Sequence, residues 1–422
     1  MRTTRSVRLF FAFSLVTSFQ PFLVIWIIYL LEFRHLSLTQ IGLLESFFWG
    51  ASVLAEVPTG AFADRFGRRI TFSLSMLISG VAIAIFGIAD SYTLIMASYV
   101  VWAVGMALRS GNDSAYLYEV LDAGGRADEF TKVSGQLGAL TIGATVLASV
   151  SGGVLAAVVN LQAPILVAAA TSLLGAVLAL ALPEPTVRRR EQRLTYMQTL
   201  REAARALRRD AATASMILLG VTFAIATVPS YILLQPFLRG HGVPISLFGV
   251  LRLPNQALAA AGSLFAYRLP RILGFARSQG MLVAVTAAVL IAMSAVDHIV
   301  ALIGFGLIGL ALTLRRLPAM DYVNRRIDSD TRATILSVPP LGQGLLFAIL
   351  LPLGGWLGER SMSGAFLALG VLFLISASAS YLLWLRADRA DRAAAPVDVV
   401  EAVDGSVDGS VDGSVDGEIA AS

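Results

Sequence analysis

The chain has 422 residues but no cysteine, one lysine and three histidines. Without cysteine, it has no disulfide, no thiol nucleophile and no cysteine-ligated zinc or iron–sulfur site. The lysine, Lys132, does not follow a glycine-rich loop, which excludes the phosphate-binding loop of an ATPase. His35, His241 and His298 are too far apart in sequence to have metal-ligand spacing. These absences predict a protein that is not an enzyme and binds neither a metal nor a cofactor.

Charged residues are scarce at 14% of the chain, whereas hydrophobic residues make up 56% and the mean hydropathy is +0.75. Soluble globular proteins are not this apolar. The apolar residues form blocks of about twenty, and a helix of that length rises about 30 Å, the thickness of the hydrocarbon core of a membrane. We therefore predict an all-α integral membrane protein with twelve transmembrane helices, near residues 8–31, 41–62, 70–89, 93–118, 132–158, 163–182, 213–238, 246–268, 278–296, 299–319, 333–356 and 363–385.

The basic residues predict which side of the membrane each loop faces. Arg34, Arg239 and Arg360 fall in loops on one side, and the other basic residues outside the helices fall on the opposite side. Cytoplasmic loops carry the excess of Lys and Arg, so both termini are predicted to be cytoplasmic. The formal net charge of +4 then reflects membrane topology and does not indicate a nucleic-acid partner.

The longest polar interruption divides the helices into six and six. Its apolar residues have helical spacing and it carries eight arginines, which predicts an amphipathic helix on the anionic inner leaflet, with a partner-binding segment as the alternative. The last residues repeat Val-Asp-Gly-Ser and are too polar to fold. The predicted organisation is an N-terminal six-helix bundle (1–182), a cytoplasmic amphipathic linker (183–212), a C-terminal six-helix bundle (213–385) and a disordered acidic tail (386–422).

The two halves resemble each other in sequence. Gly42 matches Gly249 at the starts of predicted helices 2 and 8, and Gly105 matches Gly309 in predicted helices 4 and 10. The Gly-Met-Ala-Leu that begins at Gly105 aligns with Gly-Leu-Ala-Leu. Two six-helix repeats around a central site are the architecture of transporters that work by alternating access.

A more specific signal lies between predicted helices 2 and 3. The stretch Gly60-Ala-Phe-Ala-Asp64-Arg65-Phe-Gly67-Arg68-Arg69 resembles, at every defined position, the Gly-x-x-x-Asp-Arg-x-Gly-Arg-Arg loop of the major facilitator superfamily. The chain is therefore identified as a bacterial member of that family, a multi-pass protein of the cytoplasmic (inner) membrane. The resemblance implies the family's fold of two six-helix pseudo-repeats.

In that family this loop latches the two halves on the cytoplasmic side when the carrier faces outward. Gly60 permits close approach of a neighbouring helix and Gly67 a tight turn. The alternative is a positively charged membrane anchor with a turn. The resemblance implies a latch formed by Gly60, Asp64, Arg65, Gly67, Arg68 and Arg69, with Glu119 or Asp122 as the acidic partner.

Ionisable residues within the predicted helices are candidates for proton coupling, because each costs roughly 2.5–3.5 kcal/mol to insert. Arg109 and Asp113 are four residues apart and so share one face of helix 4. We predict that Glu56 and Asp113 carry protons and that Arg109 modulates them. The alternative is that Asp113, near cytoplasmic water, belongs to the latch.

Two partial motifs indicate the subfamily. The stretch Arg109-Ser-Gly-Asn-Asp113 partly resembles the Arg-x-x-Gln-Gly motif of drug/proton antiporters. Gly143, Gly152 and Gly153 fill some positions of the antiporter signature on helix 5, although its proline is absent. The resemblance implies export of drug-like compounds.

Two further sets of residues are singled out by position. Glu45 and Arg252 lie near the outer starts of their helices, where they either form an outer gate or snorkel to the interface, and we favour snorkelling. In the family, the middle parts of helices 1, 4, 7 and 10 line the cavity. The candidates there for contact with substrate are Gln20, Trp26, Thr227, Tyr231 and Gln235.

The sequence thus predicts a secondary active transporter that works by alternating access and couples protons to the export of small amphipathic or drug-like compounds. The implied cavity is mainly apolar, which suits such cargo. The alternatives are proton-coupled uptake of a small metabolite or sugar and, from another class, a transport-inactive sensor or scaffold. The expected partners are a small-molecule substrate, protons and membrane lipids, and the expected state is a monomer.

Overall fold

The structure, a computed structural model, describes residues 2–184, 196–327 and 329–394, and all regular elements in these residues are helical. The N-terminal half contains helix 1 (Arg2–Ser18, followed by the short segments Pro21–Val24, Trp26–Ile28 and Tyr29–Phe33), helix 2 (Leu38–Phe66), helix 3 (Arg68–Ile88), helix 4 (Tyr92–Arg109 and Asn112–Asp122), helix 5 (Phe130–Val158) and helix 6 (Ala163–Leu180). The C-terminal half contains helix 7 (Ala211–Thr222, followed by Ala224–Val228, Pro229–Leu233 and Leu234–Gly240), helix 8 (Phe248–Phe265), helix 9 (Phe275–Ala295), helix 10 (Leu302–Arg326), helix 11 (Ser329–Arg360) and helix 12 (Met362–Ala394).

Each predicted transmembrane segment coincides with a helix, so the all-helical membrane fold is confirmed. Eleven helices in the described residues are long and apolar enough to cross a membrane. Helix 8, which carries Arg252, Asn255 and Gln256, is not among them. The count of twelve spans and the cytoplasmic position of both termini stay predictions. We call the end of the bundle that carries Arg34, Arg239 and Arg360 the outer end.

Helices 1, 4 and 7 are interrupted, which the hydropathy pattern did not predict. Helices 1 and 7 each contain a π-helical turn, at Tyr29–Phe33 and at Pro229–Leu233. Helix 4 breaks after Arg109, because Gly111 adopts a left-handed conformation with φ of 70°. Such irregular turns leave backbone groups free to rearrange and are common at functional sites.

Two apolar clusters form the core. The larger one contains side chains from both halves, such as Phe48 of helix 2 and Phe237 of helix 7 at the outer end, and it continues through the C-terminal half to Trp384. A separate cluster lies within the N-terminal half and includes Phe13, Phe72 and Tyr116. Apolar packing therefore joins the halves at the outer end.

Glycines permit the closest contacts between the halves. A Cβ on Gly42 would lie 2.5 Å from the carbonyl oxygen of Leu351 in helix 11, and a Cβ on Gly249 would lie 1.9 Å from that of Ser149 in helix 5. The two glycines matched by the internal repeat thus occupy equivalent crossings, helix 2 on helix 11 and helix 8 on helix 5.

The linker and the C-terminal segment both contain helix. In the linker, the helix Tyr196–Arg209 packs Ala206 and Leu207 against the protein core, and its position on the inner leaflet stays a prediction. Helix 12 continues to Ala394, nine residues into the segment predicted to be disordered. The Tyr322 hydroxyl donates to Asp388 at 2.6 Å and anchors this extension on helix 10. Residues 395–422, with the Val-Asp-Gly-Ser repeat, lie outside the described residues.

Arg326, at the end of helix 10, connects the linker to helix 12 through ion pairs with Asp210 and Asp391. Asp210 also caps helix 7, because its carboxylate accepts from the backbone N–H of Thr213 at 2.9 Å. Partial burial acts to raise the pKa of the Asp210 carboxyl, but hydrogen bonds from Thr213 and Arg326 outweigh burial and the pKa is lowered. A group with a lowered pKa stabilises the fold above its unfolded pKa.

We expect Asp210→Asn to lower the free energy of unfolding by about 0.5–1 kcal/mol at pH 7, because a capping carboxylate is lost and its ion pair is partly exposed. The deficit should begin to shrink as the pH falls below about 4, the ordinary pKa of aspartate, and should vanish below the lowered pKa of the native carboxyl. Thermal unfolding in detergent, measured from pH 7 to pH 3, checks this. The matched control is Asp321→Asn, which removes an exposed pair with Arg325. An equal loss in both variants would contradict the assignment.

Candidate functional site

Polar contacts join the two halves at the outer end. The Arg239 guanidinium donates to both carboxylate oxygens of Glu32, at 2.5 and 3.0 Å. Glu359 accepts from the backbone N–H and the hydroxyl of Thr39, at 2.6 and 2.8 Å. Gln235 accepts a backbone N–H of helix 1 at 3.0 Å. Wherever the structure describes both partners, the hydrogen bonds and ion pairs between the halves lie in this outer region, so the arrangement is outer-closed.

Four aromatic rings from both halves meet just inside these contacts, and we call them the aromatic cluster. Tyr231 lies with its ring centroid 6.0 Å from that of Trp26, 6.4 Å from that of Trp49 and 5.7 Å from that of Phe347. Trp49 and Phe347 are 5.1 Å apart. The cluster combines helices 1, 2, 7 and 11, and it forms an apolar wall between the halves.

Glu45 reaches the edge of the aromatic cluster. The Tyr231 hydroxyl donates to its carboxylate at 2.9 Å, and Glu45 is only 3% exposed. The prediction that Glu45 snorkels to the interface is wrong, because its helix turns it toward the other half. Arg252 does not pair with it and instead donates to the carbonyl oxygen of Leu23 at 3.1 Å.

The structure brings some of the predicted cavity residues together and separates others. Trp26 and Tyr231 belong to the aromatic cluster, and Gln235 is buried against helix 1. Gln20 donates to Ser172 of helix 6 at 3.3 Å, so in this arrangement it bonds within the N-terminal half. Thr227 donates to a carbonyl of its own helix at 2.7 Å. Contact with substrate stays a prediction for all five.

A separate groove of about 520 Å³ lies between helices 2, 3 and 4. Its walls are almost wholly apolar, and none of the predicted cavity residues lines it. On helix 2, its lining residues Ala51, Ala55 and Phe62 lie on the side away from Trp49, as the helical period requires. The groove therefore does not belong to the interface between the halves.

The loop between helices 2 and 3 makes a turn that depends on Gly67. This residue has φ of 86°, and a Cβ there would lie 2.5 Å from a carboxylate oxygen of Glu184. Glu184 follows helix 6 and caps helix 3, because it accepts the backbone N–H groups of Arg68 and Arg69 at 2.7 and 2.9 Å. An anion at a helix N-terminus is stabilised by the helix dipole. Sequence reasoning missed Glu184, whose only signal is its position just after an apolar helix.

Arg68 ties the loop to helix 4. Its guanidinium donates to Glu119 at 3.1 Å and also bonds Asn112. Glu119 is thus the acidic partner, and the other candidate, Asp122, is exposed. Among the residues that the structure describes, the hydrogen bonds of this loop stay within the N-terminal half. The latch between the halves stays a prediction.

The remaining residues of the loop make fewer contacts with the rest of the N-terminal half. A Cβ on Gly60 would meet no atom within 4 Å, so the expected close approach of a neighbouring helix is not present in this arrangement. Asp64 lies in the last turn of helix 2. Arg65 lies over the ring of Phe66, with its guanidinium carbon 5.4 Å from the ring centroid.

The predicted coupling residues lie at the break in helix 4 and on helix 2. Arg109 ends the first segment of helix 4, and its Nε donates to Asp113, in the first turn of the second segment, at 3.0 Å. The ion pair therefore spans the break at Gly111. Glu56 is half-buried in the part of helix 2 away from the outer end and lies in neither this pair nor the aromatic cluster.

Comparisons with known proteins agree with this architecture. The family model for the Major Facilitator Superfamily matches residues 9–338. The uncharacterized MFS-type transporter YxaM of Bacillus subtilis (strain 168) is 32% identical over 114 residues, so the match covers 26% of this chain and only 28% of that protein.

Solved structures share the fold at low identity. A crystal structure of the nucleoside transporter NupG has a TM-score of 0.70 at 12% identity, over 92% of this chain and 99% of that one. A bacterial homolog of the human lysosomal transporter Spinster, inward-facing and unoccupied, has a TM-score of 0.72 at 16% identity, over 91% and 97%. With a family model that matches most of its length and a fold shared with these transporters, the chain belongs to the Major Facilitator Superfamily.

Proposed function

We propose that this transporter couples proton movement to the export of small amphipathic or drug-like compounds. The observation that carries the proposal is the ion pair of Arg109 and Asp113 across the break in helix 4. Protonation of Asp113 removes the charge that holds the two segments together, so it changes the geometry of the helix. The Asp113 side chain is 41% exposed and lies about 30 Å from the outer start of helix 4, at ~1.5 Å per residue, so we expect cytoplasmic water to reach it for proton exchange.

The walls between the halves support the substrate class. The aromatic cluster presents large apolar surfaces with few fixed charges, and such walls favour cargo that is itself largely apolar. Polar metabolites would require several converging hydrogen-bond groups. The polar groups nearest to the cluster, Gln235 and Glu45, already bond partners within the protein.

The crossings of helix 5 support export over uptake, because they fit the antiporter signature. A Cβ on Gly152 would lie 1.9 Å from a carbonyl oxygen of helix 1. A Cβ on Gly153 would lie 2.7 Å from the carbonyl oxygen of Ile245, before helix 8. These glycines allow helix 5 to contact helix 1 of its own half and the start of helix 8 in the other half. Gly143, by contrast, faces open space.

Proton flux in inside-out vesicles tests the proposal. An imposed pH gradient should collapse when certain lipophilic cations or antibiotics are added, and Asp113→Asn should lose this response. The control variant is Asp122→Asn, an exposed acid at the end of the same helix, which should respond like the native protein. Sugars and nucleosides belong in the panel as probes of uptake.

Each outcome has a distinct meaning. Collapse that persists in Asp113→Asn would place Asp113 in the latch and leave coupling to another carboxylate. Collapse by sugars or nucleosides alone would replace export with uptake of a metabolite. A folded protein that responds to no compound would contradict the proposal and favour a sensor or scaffold.

A further inference from the structure

Glu45 is a buried carboxylate that the mechanism above does not use. It lies about 10 Å below the outer start of helix 2, at ~1.5 Å per residue. Its carboxylate accepts a hydrogen bond from Tyr231, which belongs to the other half of the protein. Within the described ranges, no lysine, arginine or histidine forms an ion pair with it.

The elements packed around Glu45 supply no compensating charge. The titratable groups that face it are Tyr231 of helix 7 and Tyr99 of helix 4, both neutral at physiological pH. On its own helix, Trp49 lies one turn away, and its indole N–H is an uncharged donor beside the carboxyl. Helix 11 contributes Phe347 of the aromatic cluster.

An ionised carboxylate in such surroundings costs several kcal/mol, whereas the neutral acid does not. The neutral acid still accepts the Tyr231 hydroxyl through its carbonyl oxygen. When the outer end opens, helices 2 and 7 separate and the same group meets water, where the ionised form is stable. We infer that Glu45 is the residue whose protonation permits the outer end to close.

The proton balance is simple. In the outer-open state the Glu45 carboxylate takes one proton from the outer solution and becomes the neutral acid, and the outer end closes over it. Release of that proton toward the cytoplasm leaves a charge in the closed interface and favours reopening. Glu56 lies on the same face of helix 2 as Glu45, because the eleven residues between the two positions make about three helical turns. The separation along the helix is ~16 Å. This inference rests on the proton coupling in the proposed function and adds a coupling residue to it.

The experiment measures closure of the outer end against pH, without substrate or gradient. Because the chain has no cysteine, spin labels at Thr93→Cys and Val300→Cys, both exposed, are the only labelled sites. Thr93 lies at the outer start of helix 4, and Val300 immediately precedes helix 10. Distances between the labels then report whether the outer end is open or closed.

We expect a short distance at low pH and a growing population of longer distances as the pH rises. The ratio of open to closed should change by up to about tenfold per pH unit, the limit for one proton. Glu45→Gln should keep the short distance at every pH. The control Asp321→Asn, which changes an exposed acid paired with Arg325, should respond like the native protein. Tyr231→Phe should retain the response with its midpoint at lower pH, because the closed state loses a hydrogen bond.

Two results would overturn the inference: a native distance distribution that does not change with pH, or a Glu45→Gln protein that follows the native pH response. If Glu45→Gln fails to fold, the midpoint of the pH response of Tyr231→Phe, expected at lower pH than in the native protein, still tests the inference. The readout is independent of transport. Intact pH-dependent closure together with absent proton flux would therefore sink the proposed function and leave this inference standing.

Discussion

Gly42→Ala is expected to shift the transporter out of its outer-closed arrangement. The added Cβ would lie 2.5 Å from both the carbonyl oxygen of Leu351 and the Cα of Pro352. These are backbone atoms of helix 11, so the helices themselves must separate. Overpacking of this kind costs about 1–3 kcal/mol. The ratio of outer-closed to outer-open molecules should fall by roughly five- to 150-fold, and transport should slow accordingly.

The matched control is Gly50→Ala on the same helix, where a Cβ would meet no atom within 4 Å. Both variants change one glycine of helix 2 to alanine, so their effects on helix propensity are alike. Distances between spin labels at Thr93→Cys and Val300→Cys measure the shift. If Gly42→Ala and Gly50→Ala gave the same distribution, helix 2 would not require the glycine for closure.

Arg68→Gln is expected to destabilise the N-terminal half strongly. The substitution removes the ion pair with Glu119 and the bond to Asn112, and leaves the Glu119 carboxylate without its cation. The two side chains are 16% and 20% exposed. The expected loss is therefore about 1–2 kcal/mol, below the roughly 3–5 kcal/mol of a fully buried pair. Thermal unfolding in detergent measures it.

Arg69→Gln is the matched control, because Arg69 is exposed and contributes its backbone N–H to Glu184. It should unfold within a few tenths of a kcal/mol of the native protein, as exposed substitutions do. An Arg69→Gln protein as unstable as Arg68→Gln would mean that the loop acts through its total charge. In that case the loss of stability in Arg68→Gln would not come from the contact with Glu119.

Hydropathy was sufficient to predict the helices, because a membrane-spanning segment must be apolar along its whole length. Hydropathy did not predict the interruptions of helices 1, 4 and 7, since a π-helical turn such as Tyr29–Phe33 changes the backbone hydrogen bonds and not the apolar character of the segment as a whole. The loop motif predicted the turn at Gly67, and the resemblance left Glu119 or Asp122 as the acidic partner. It did not predict Glu184, which reaches the loop only because helix 6 ends beside it.

The interface between the halves was the least predictable part. Glu45 bonds a tyrosine 186 residues away, and a single sequence does not show such a contact. Phe347 was missed, because an aromatic residue in a membrane helix is ordinary in composition. Gln235 was expected at the substrate, yet it bonds helix 1 in the outer-closed arrangement. A residue of an alternating interface has one environment in the outer-closed state and another in the outer-open state. Its position in the sequence does not tell which of these environments a structure will show.

The most direct test of proton-coupled export uses a compound gradient in place of a pH gradient. Proteoliposomes are loaded with a lipophilic cation that gave collapse in vesicles, diluted into compound-free buffer, and followed with a pH-sensitive dye inside. The account predicts that the interior becomes acidic as the compound leaves, and that Asp113→Asn abolishes the change. An interior that becomes alkaline would mean that the proton travels with the compound, which contradicts exchange.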